Sequence, residues 1–267
     1  MIAKKSLGQH FLKSEKALNS IVRAGDIKNT DTVLEIGPGQ GALTKKLLAT
    51  SCQVIAIEKD DGLVEELKEK FEIEMKNGKL ELIHGDILKF ETSKLEAHSY
   101  KLIANIPYNI TGAIFKKFLS IEHQPERIVL LVQKEVAERI VAKKSKPFDS
   151  AQGKESILSI SIKVYGKPIF IEKVLAGSFA PAPTVDSAIL LIENISKDFF
   201  EKLPEEDFFK LLKAGFASKR KKLSSNLSNL FPKNKVFETF KSLGLNPNIR
   251  AEDTPLDIWS KIASKLV

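Results

Sequence analysis

The stretch TVLEIGPGQGA, residues Thr32–Ala42, joins a short apolar run to a glycine-rich turn. An apolar run bounded by glycines predicts a buried strand over Thr32–Ile36, and Ala42–Ala49 then has the composition of a helix. Gly37 and Gly39 permit a tight turn and a close approach of a ligand to the backbone where that helix begins. Because the turn also fits the dinucleotide fingerprint G-x-G-x-x-G/A, it does not define the ligand by itself.

Strands and helices alternate along the first half of the chain. Short apolar runs predict four more strands, and segments with helical spacing of apolar residues lie between them. This alternation is typical of an α/β domain with a parallel, twisted sheet. The predicted strands are Cys52–Ile57, Leu80–His84, Lys101–Ala104 and Arg127–Val132, and the predicted helices are Asp60–Lys76, Thr111–Ile121 and Lys134–Lys144.

The pattern changes in the second half of the chain. Ile157–Val164 alternates with period two, which predicts a strand, and Ala188–Glu193 is another apolar run. We expect these two strands to pair antiparallel at one edge of the sheet. Beyond Ser196 the apolar spacing is helical, so we expect a first domain over residues 1–197 and a small all-α domain over residues 198–267. The predicted helices of the second domain are Glu205–Phe216, Lys222–Leu230, Lys235–Leu243 and Leu256–Leu266.

The composition excludes several classes of protein. Of the 267 residues, 43% are hydrophobic and 28% are charged, which excludes a disordered or collagen-like chain. No apolar stretch approaches the roughly 18 residues of a membrane span, and no apolar segment follows the basic N-terminal residues as in a secretory signal. Cys52 is the only cysteine, so we expect no intrachain disulfide and a cytoplasmic location.

The positive charge is concentrated in one segment. The formal net charge is +8, and Lys210–Arg250 alone contains ten Lys and Arg residues and one acid, Glu238. Such an excess predicts a polyanionic partner, although a solvated basic helix surface gives the same count. The aromatic residues of this segment fall at helical spacings, so we expect them in the core rather than on a base-stacking surface. They are Phe216, Phe231, Phe237 and Phe240.

Acidic residues follow the second and third predicted strands. Glu58 lies 21 residues after Gly37, where a carboxylate accepts hydrogen bonds from the ribose hydroxyls of an adenosine-containing ligand. The alternative role for Glu58 is to cap the helix that follows it. Asp86 is suited to accept a hydrogen bond from the amino group of adenine, while Ile87 packs on the adenine ring.

The fourth strand ends in Asn105-Ile106-Pro107-Tyr108, a sequence that hydride transfer does not require. The amino nitrogen of adenine is a poor nucleophile because its lone pair is delocalised into the ring. A site that methylates this nitrogen holds both of its hydrogens with acceptors, for which the Asn105 side-chain oxygen and the Ile106 carbonyl are suited. Pro107 stiffens the loop, and Tyr108 offers a flat face to the extruded base. A proline turn beside a core tyrosine is the structural alternative.

Together these motifs resemble the adenine-N6 methyltransferases that use S-adenosylmethionine. The rest of the chain narrows the resemblance to the ribosomal RNA small-subunit (16S) adenine N6-dimethyltransferase family, the KsgA type. The resemblance runs from residue 4 to about residue 260. Besides the glycine turn and the Asn105 tetrapeptide, it rests on Lys5–Leu12, Gln133–Arg139, Phe179–Ser187, Phe216 and Lys219–Leu223.

The resemblance implies a Rossmann-like class I methyltransferase fold followed by a helical rRNA-binding domain. It implies dimethylation of two adjacent adenosines near the 3′ end of small-subunit rRNA, in ribosome biogenesis, with S-adenosyl-L-methionine as donor. We expect direct in-line transfer, a monomer, and no metal or membrane partner. The implied catalytic residues are Asn105, Ile106, Pro107 and Tyr108. The donor-binding candidates are His10, Leu12, Gly37, Gly39, Glu58, Asp86, Ile87 and Asn105. The target-base candidates are Phe179 and Pro181. The RNA-binding candidates are Arg139, Lys219, Arg220, Lys221 and Lys222, aided by Lys4 and Lys5.

Three positions depart from the family pattern. Many members have Asn where this chain has His10, a change that removes a side-chain amide but preserves any interaction made by the backbone. Leu158-Ser159 lacks the usual preceding Tyr-Gly and follows a polar segment, Lys143–Glu155, that predicts a mobile loop. Lys219-Arg220-Lys221 stands where paired arginines are common, and lysine lacks their bidentate geometry.

Three alternatives share parts of these motifs. The large-subunit rRNA methyltransferases of macrolide resistance have the catalytic motifs, but Phe179–Ser187 and the basic run after Phe216 disfavour them. A mainly non-catalytic ribosome assembly factor on the same fold is the second alternative, disfavoured by the intact Glu58, Asp86 and Asn105 motifs. A DNA adenine methyltransferase is disfavoured because the basic helical segment offers no evident base-reading element.

Overall fold

The computed structural model describes residues 8–95, 99–141 and 154–267. The chain forms two compact units, which we call the sheet unit (within residues 1–137 and 167–195) and the helical unit (within residues 138–166 and 196–267). The last passage between them, at Ile195 and Ser196, lies near the predicted boundary at residue 197. The described residues between 138 and 166, predicted as part of the first domain, group with the helical unit.

The sheet unit contains a seven-stranded sheet in the order β4-β3-β2-β5-β6-β9-β7. The first five strands in this order run parallel, β9 is antiparallel to β6, and β7 is antiparallel to β9. The parallel part confirms the predicted α/β class and brings the carboxyl ends of five strands to one edge. The strands are β2 (Thr32–Ile36), β3 (Gln53–Glu58), β4 (Leu80–His84), β5 (Tyr100–Asn105), β6 (Arg127–Gln133), β7 (Lys167–Val174) and β9 (Ser187–Glu193).

A second, two-stranded sheet ties the start of the described chain to a later segment. β1 (Phe11–Leu12) pairs antiparallel with β8 (Phe179–Ala180). The helices of the sheet unit follow the strands as the alternation predicts, although the predicted helix Asp60–Lys76 is divided in two. They are α1 (Glu15–Gly25), α2 (Ala42–Leu48), α3 (Asp61–Lys70), α4 (Glu72–Lys76) and α5 (Thr111–Ser120), while α6 (Lys134–Val141) leads from the sheet unit into the helical unit.

The core lies between the sheet and its helices. α1 begins at Ser14, whose side chain accepts a hydrogen bond from the Ala17 amide, and buries Leu18 and Ile21. These side chains pack in one cluster with residues such as Val33 and Ile103 from the strands. Side chains alternate across a strand, so the remaining buried strand residues face the opposite side of the sheet. Burial on both faces explains why the parallel strands are almost continuously apolar.

The predicted strand Ile157–Val164 is wrong, because residues Ile157–Lys163 form helix α7. The helix begins in a capping box, in which Ser156 and Ser159 each accept a hydrogen bond from the other's backbone amide. This local start signal outweighs the period-two spacing of the isoleucines. The strand that pairs with β9 at the sheet edge is instead β7, which no predicted element covers. The edge position tolerates Pro168 at the start of this strand.

The helical unit packs around one tryptophan. Trp259 is fully buried, and its ring stacks on Phe216 with centroids 5.6 Å apart. Phe240 is buried as predicted, whereas Phe237, also expected in the core, is 65% exposed. All four predicted helices of the second domain form. With α7, the helices of this unit are α8 (Glu205–Gly215), α9 (Leu223–Leu227), α10 (Lys233–Ser242) and α11 (Leu256–Leu266).

Among the helices formed by the described residues, none has the length and apolarity needed to span a bilayer. Lys4 and residues 5–7 of the Lys5–Leu12 motif lie outside the described residues, and so do residues 142–153, which contain most of the segment predicted as a mobile loop, Lys143–Glu155.

Candidate active site

A cavity of about 230 Å³ opens in the sheet unit where the parallel strands end. Its wall includes residues that follow or end β2, β3, β4 and β5, the position where open α/β sheets bind ligands. The structure therefore brings together residues that are far apart in sequence. All eight donor-binding candidates line it, His10, Leu12, Gly37, Gly39, Glu58, Asp86, Ile87 and Asn105, as do Ile106, Pro107 and Tyr108.

The glycine turn after β2 has a backbone that only glycine adopts readily. Gly37 and Gly39 have φ angles of +65° and +58°. The Gly37 amide donates to the Ile57 carbonyl at 2.9 Å, which ties the turn to β3. A Cβ on Gly37 would enter open space, and a Cβ on Gly39 would lie 3.0 Å from the Phe11 ring. The turn therefore leaves room for a ligand on one side and packs against the N-terminal segment on the other.

Glu58 connects this turn to the end of β3. Its Oε2 accepts a hydrogen bond from the Gly39 amide at 3.1 Å, and its Oε1 accepts from the Lys59 and Asp60 amides at 2.8 and 2.9 Å. The helix-capping role belongs to Asp60, whose Oδ1 accepts from the Gly62 amide at the start of α3. Glu58 is thus a buried carboxylate held in place at the cavity wall, rather than the cap residue of α3.

Asp86 is held as a hydrogen-bond acceptor after β4. Its Oδ2 lies 2.9 Å from Lys59 Nζ, and its Oδ1 accepts from the Leu88 amide at 2.9 Å. The Lys59 hydrogen bond, together with that amide, lowers the pKa of the Asp86 carboxyl. The ionised carboxylate only accepts hydrogen bonds, as contact with an adenine amino group requires. Ile87 beside it is buried in the cavity wall.

Asn105, the last residue of β5, is oriented by the N-terminal segment. Its Nδ2 donates to the His10 carbonyl at 3.1 Å, which leaves Oδ1 as the acceptor of the amide. The His10 ring lies 2.8 Å from the Pro181 carbonyl through Nδ1, and this nitrogen is the donor because a carbonyl only accepts. The same ring is nearly parallel to that of Tyr108, with centroids 6.1 Å apart.

Tyr108 is fixed at its hydroxyl end. Its hydroxyl lies 2.7 Å from Oγ of Ser187, a fully buried residue of β9, and Thr111 donates to the Tyr108 carbonyl at 3.0 Å. Burial raises the pKa of the Tyr108 hydroxyl, so it stays protonated at neutral pH. The Pro107 ring beside it approaches Gly8, where a Cβ would lie 3.5 Å away. These contacts hold the ring of Tyr108 in one orientation.

Glu35 is a residue of the site that the sequence motifs do not single out. It is 1% exposed within β2 and lines the cavity, and its Oε2 has no hydrogen-bond partner among the described residues. Burial raises the pKa of Glu35 to about 8; Thr44 opposes this in part, and the charge of Glu58 adds to it. The signal in the sequence is an acid within an otherwise apolar buried strand.

The remaining candidates lie away from the cavity. Phe179 is 5% exposed and pairs with Leu12 between β8 and β1, so its role toward a target base stays a prediction. Pro181 contributes its carbonyl to His10 and does not line the cavity. The RNA-binding candidates are all exposed and belong to the helical unit: Arg139, Lys219, Arg220, Lys221 and Lys222. Within the described ranges, His, Cys, Asp and Glu residues form no group suited to hold a metal ion.

The chain is similar to one protein family over nearly its whole length. A family model described as ribosomal RNA adenine dimethylase matches residues 2–266. A ribosomal RNA small subunit methyltransferase A of Dehalococcoides mccartyi (strain CBDB1) is 42% identical over 264 residues, covering 97% of this chain and 87% of the relative. A protein of the same name from Aliarcobacter butzleri (strain RM4018) is 40% identical over 267 residues, covering 99% and 96%.

Solved structures with a similar fold also cover most of the chain. A dimethyladenosine transferase from Plasmodium falciparum superimposes with a TM-score of 0.79 at 30% identity, covering 95% of this chain and 96% of the other. The 23S rRNA methyltransferase ErmE superimposes with a TM-score of 0.76 at 24% identity, covering 96% and 99%. The second likeness concerns the fold alone.

Replacing Glu35 tests whether burial raises the pKa of its carboxyl group. Because the pKa of Glu35 rises from about 4.5 to about 8 on folding, the folded state is penalised as pH increases through that interval. We expect Glu35→Gln to gain free energy of unfolding over the wild type by up to about 1.4 kcal/mol per pH unit across this window, and nothing further above it. Urea denaturation at several pH values between 5 and 9 measures the difference. A difference that does not vary with pH contradicts the assignment.

Proposed function

The chain belongs to the ribosomal RNA adenine dimethylase family, and we propose that it dimethylates N6 of two adjacent adenosines near the 3′ end of small-subunit rRNA. S-adenosylmethionine is the methyl donor. The observation that carries the proposal is Asn105, whose amide nitrogen is bound to the His10 carbonyl while its oxygen remains as an acceptor at a cavity suited to adenosine. Relatives named for the small subunit support this substrate.

The residues that line the cavity are suited in chemistry to bind the donor. Gly37 leaves open space for close approach of the ligand, and the orphaned Oε2 of Glu35 is a buried polar atom in the wall. Glu58 is placed to accept hydrogen bonds from the ribose hydroxyls, and Asp86 to accept one from the adenine amino group. When bound, the donor supplies a methyl group activated by a positively charged sulfur.

The protein's own contribution is to orient the target base. The Asn105 Oδ1 and the Ile106 carbonyl each accept a hydrogen bond from the amino group of the target adenine. These two hydrogen bonds direct the lone pair of the nitrogen toward the methyl carbon. Since this nitrogen is weakly nucleophilic, fixed acceptors lower the barrier by positioning rather than by covalent chemistry. Asn105 is suited to this because the His10 carbonyl holds its amide nitrogen and so fixes which end of the amide accepts.

Tyr108 supplies a platform for the base, which must leave its stack to reach the cavity. The Ser187 hydroxyl and the near-parallel His10 ring hold the tyrosine ring. Stacking on a fixed ring costs less conformational entropy than stacking on a free one. A second methyl transfer to the same nitrogen requires one of the two acceptors to release its hydrogen, because a methylated amino group has only one.

We assign rRNA binding to the helical domain, residues 198–267, and in particular to the basic loop Lys219–Lys222. All four residues of the loop are exposed. Asn226 holds the segment that leads into the loop. This residue is buried, and its Nδ2 donates to the Gly215 and Ser218 carbonyls at 2.6 and 3.0 Å. A basic loop held in one conformation suits the regular spacing of backbone phosphates. Arg139 adds a further exposed cation in the helical unit.

Replacing Asn105 separates the rate of methyl transfer from the affinity for the donor. We expect Asn105→Ala to lower the rate of methyl transfer to small ribosomal subunits that lack the modification by roughly 100-fold or more, because the amino group then has no fixed partner at this position in the transition state. Donor affinity should fall much less. Single-turnover transfer from labelled S-adenosylmethionine and isothermal titration of the donor measure the two quantities.

Asn109→Ala is the matched control, since Asn109 is the same residue type on the same cavity wall but follows the tetrapeptide. We expect it to change the rate less than tenfold. Transfer by Asn105→Ala at the wild-type rate contradicts the assigned role.

Replacing a lysine of the basic loop tests the RNA contact. We expect Lys221→Ala to weaken binding to small subunits and to reduce the slope of log K against log salt by ~0.7–0.9, because the variant neutralises one phosphate fewer than the wild type. Filter binding across a salt series measures the slope. Lys261→Ala is the control, because Lys261 is paired with Asp257 on α11. Equal slopes for the two variants would show that the loop does not contact phosphate.

A further inference from the structure

We propose that the exposed face of α10 formed by Lys233, Phe237 and Lys241, here called the aromatic ridge, stacks an unpaired base of the RNA substrate. The inference rests on the proposed function, because it names a second contact with the same RNA. The helical spacing of the aromatic residues predicts Phe237 in the core, whereas this inference assigns to Phe237 a role in binding RNA.

Phe237 is exposed to solvent and is not needed to attach α10 to the helical unit. It is 65% exposed, while its helix neighbours Val236 and Phe240 are buried and attach α10 to the helical unit. Phe237 is the only aromatic residue among the large exposed hydrophobic side chains of the described chain. An apolar ring of this size gains free energy when it is covered, so its exposure favours a binding role.

The ring lies between two lysines at helical spacing. Lys233 and Lys241 are four residues before and after Phe237, so the three side chains lie in one row along the helix. Both lysines are exposed, and neither forms an ion pair with an acid of the described residues. Lys235, in contrast, donates to the Leu266 carbonyl at 2.7 Å. Glu238, also exposed, is one residue beyond Phe237 and therefore about 100° around the helix from the row.

A cation, an aromatic face and a second cation in one row match the chemistry of single-stranded RNA. Phosphates alternate with bases along the strand, so lysines on both sides of a stacked base neutralise its flanking phosphates. A base in a regular duplex is not accessible to such a ring, which restricts the partner to unpaired nucleotides. A second copy of the chain is disfavoured, because a two-fold interface would bring the lysines of the two ridges together.

Three substitutions of Phe237 distinguish stacking from simple apolar contact. We expect Phe237→Ala to weaken binding to unmethylated small ribosomal subunits by roughly 5- to 150-fold, the range that removal of one stacked base gives. Phe237→Leu keeps an apolar side chain but no aromatic face, so it should bind nearly as weakly as Phe237→Ala. Phe237→Trp should restore binding.

Two controls separate this surface from folding and from general apolar exposure. Leu230→Ala removes another exposed apolar side chain of the helical unit, 48% exposed, and should leave binding unchanged. The thermal midpoint of Phe237→Ala should equal that of the wild type, since the ring is largely solvated. Lys233→Ala should lower the salt slope of binding by ~0.7–0.9, whereas Phe237→Ala should leave the slope unchanged.

The outcomes separate this inference from the proposed function. If the wild-type protein methylates small subunits and Phe237→Ala binds them with full affinity, the role of the aromatic ridge is overturned while the proposed function stands. Full affinity of Phe237→Leu also overturns it, in favour of an apolar protein contact on the subunit. Loss of a dimer in Phe237→Ala, seen by sedimentation without subunits, assigns the ridge to self-association instead. Absence of wild-type methylation removes the proposed function on which the inference rests.

Discussion

The hydrogen bond between the Gly39 amide and the Glu58 carboxylate joins the ends of β2 and β3, and the geometry of the cavity depends on it. Gly39 adopts a left-handed backbone that no larger residue adopts without strain, and Glu58 is buried where it holds that turn. The same carboxylate lines the cavity. One side chain therefore builds the turn and, in the function we propose, also presents the acceptor for the ribose of an adenosine.

The second half of the site is assembled by the segment before α1. The backbone of His10 orients Asn105, while its ring bonds to the Pro181 carbonyl and lies parallel to Tyr108. The pairing of β1 with β8 holds this segment in place. The hydrogen bond to Asn105 comes from the His10 backbone, so it does not depend on which side chain stands at position 10. Asn105 and Tyr108 are thus both contacted by a residue that belongs to neither strand end.

The parts of this architecture that follow local rules could be predicted from the sequence. The alternation of apolar runs predicts the parallel strands, and residues at their carboxyl ends predict the cavity, because parallel strands align those ends. The rest was missed for two different reasons. Ile157–Lys163 is a helix because the local cap formed by Ser156 and Ser159 outweighs the period-two spacing of the apolar residues. Lys167–Val174 is a strand because of its tertiary position, a sheet edge that tolerates Pro168. Neither the contacts of the His10 ring nor the exposure of Phe237 has a signal in the sequence, since each depends on which distant segments pack nearby.

A count of the methyl groups transferred to each ribosomal subunit tests whether this cavity methylates adenosines of the small subunit. Labelled S-adenosylmethionine is incubated with purified small subunits lacking the modification and, separately, with large subunits, and the products are mapped by mass spectrometry. We predict incorporation approaching about four methyl groups per small subunit, as N6,N6-dimethyladenosine at two adjacent positions. Label confined to large subunits, or no label in either while the donor binds, would contradict the claim.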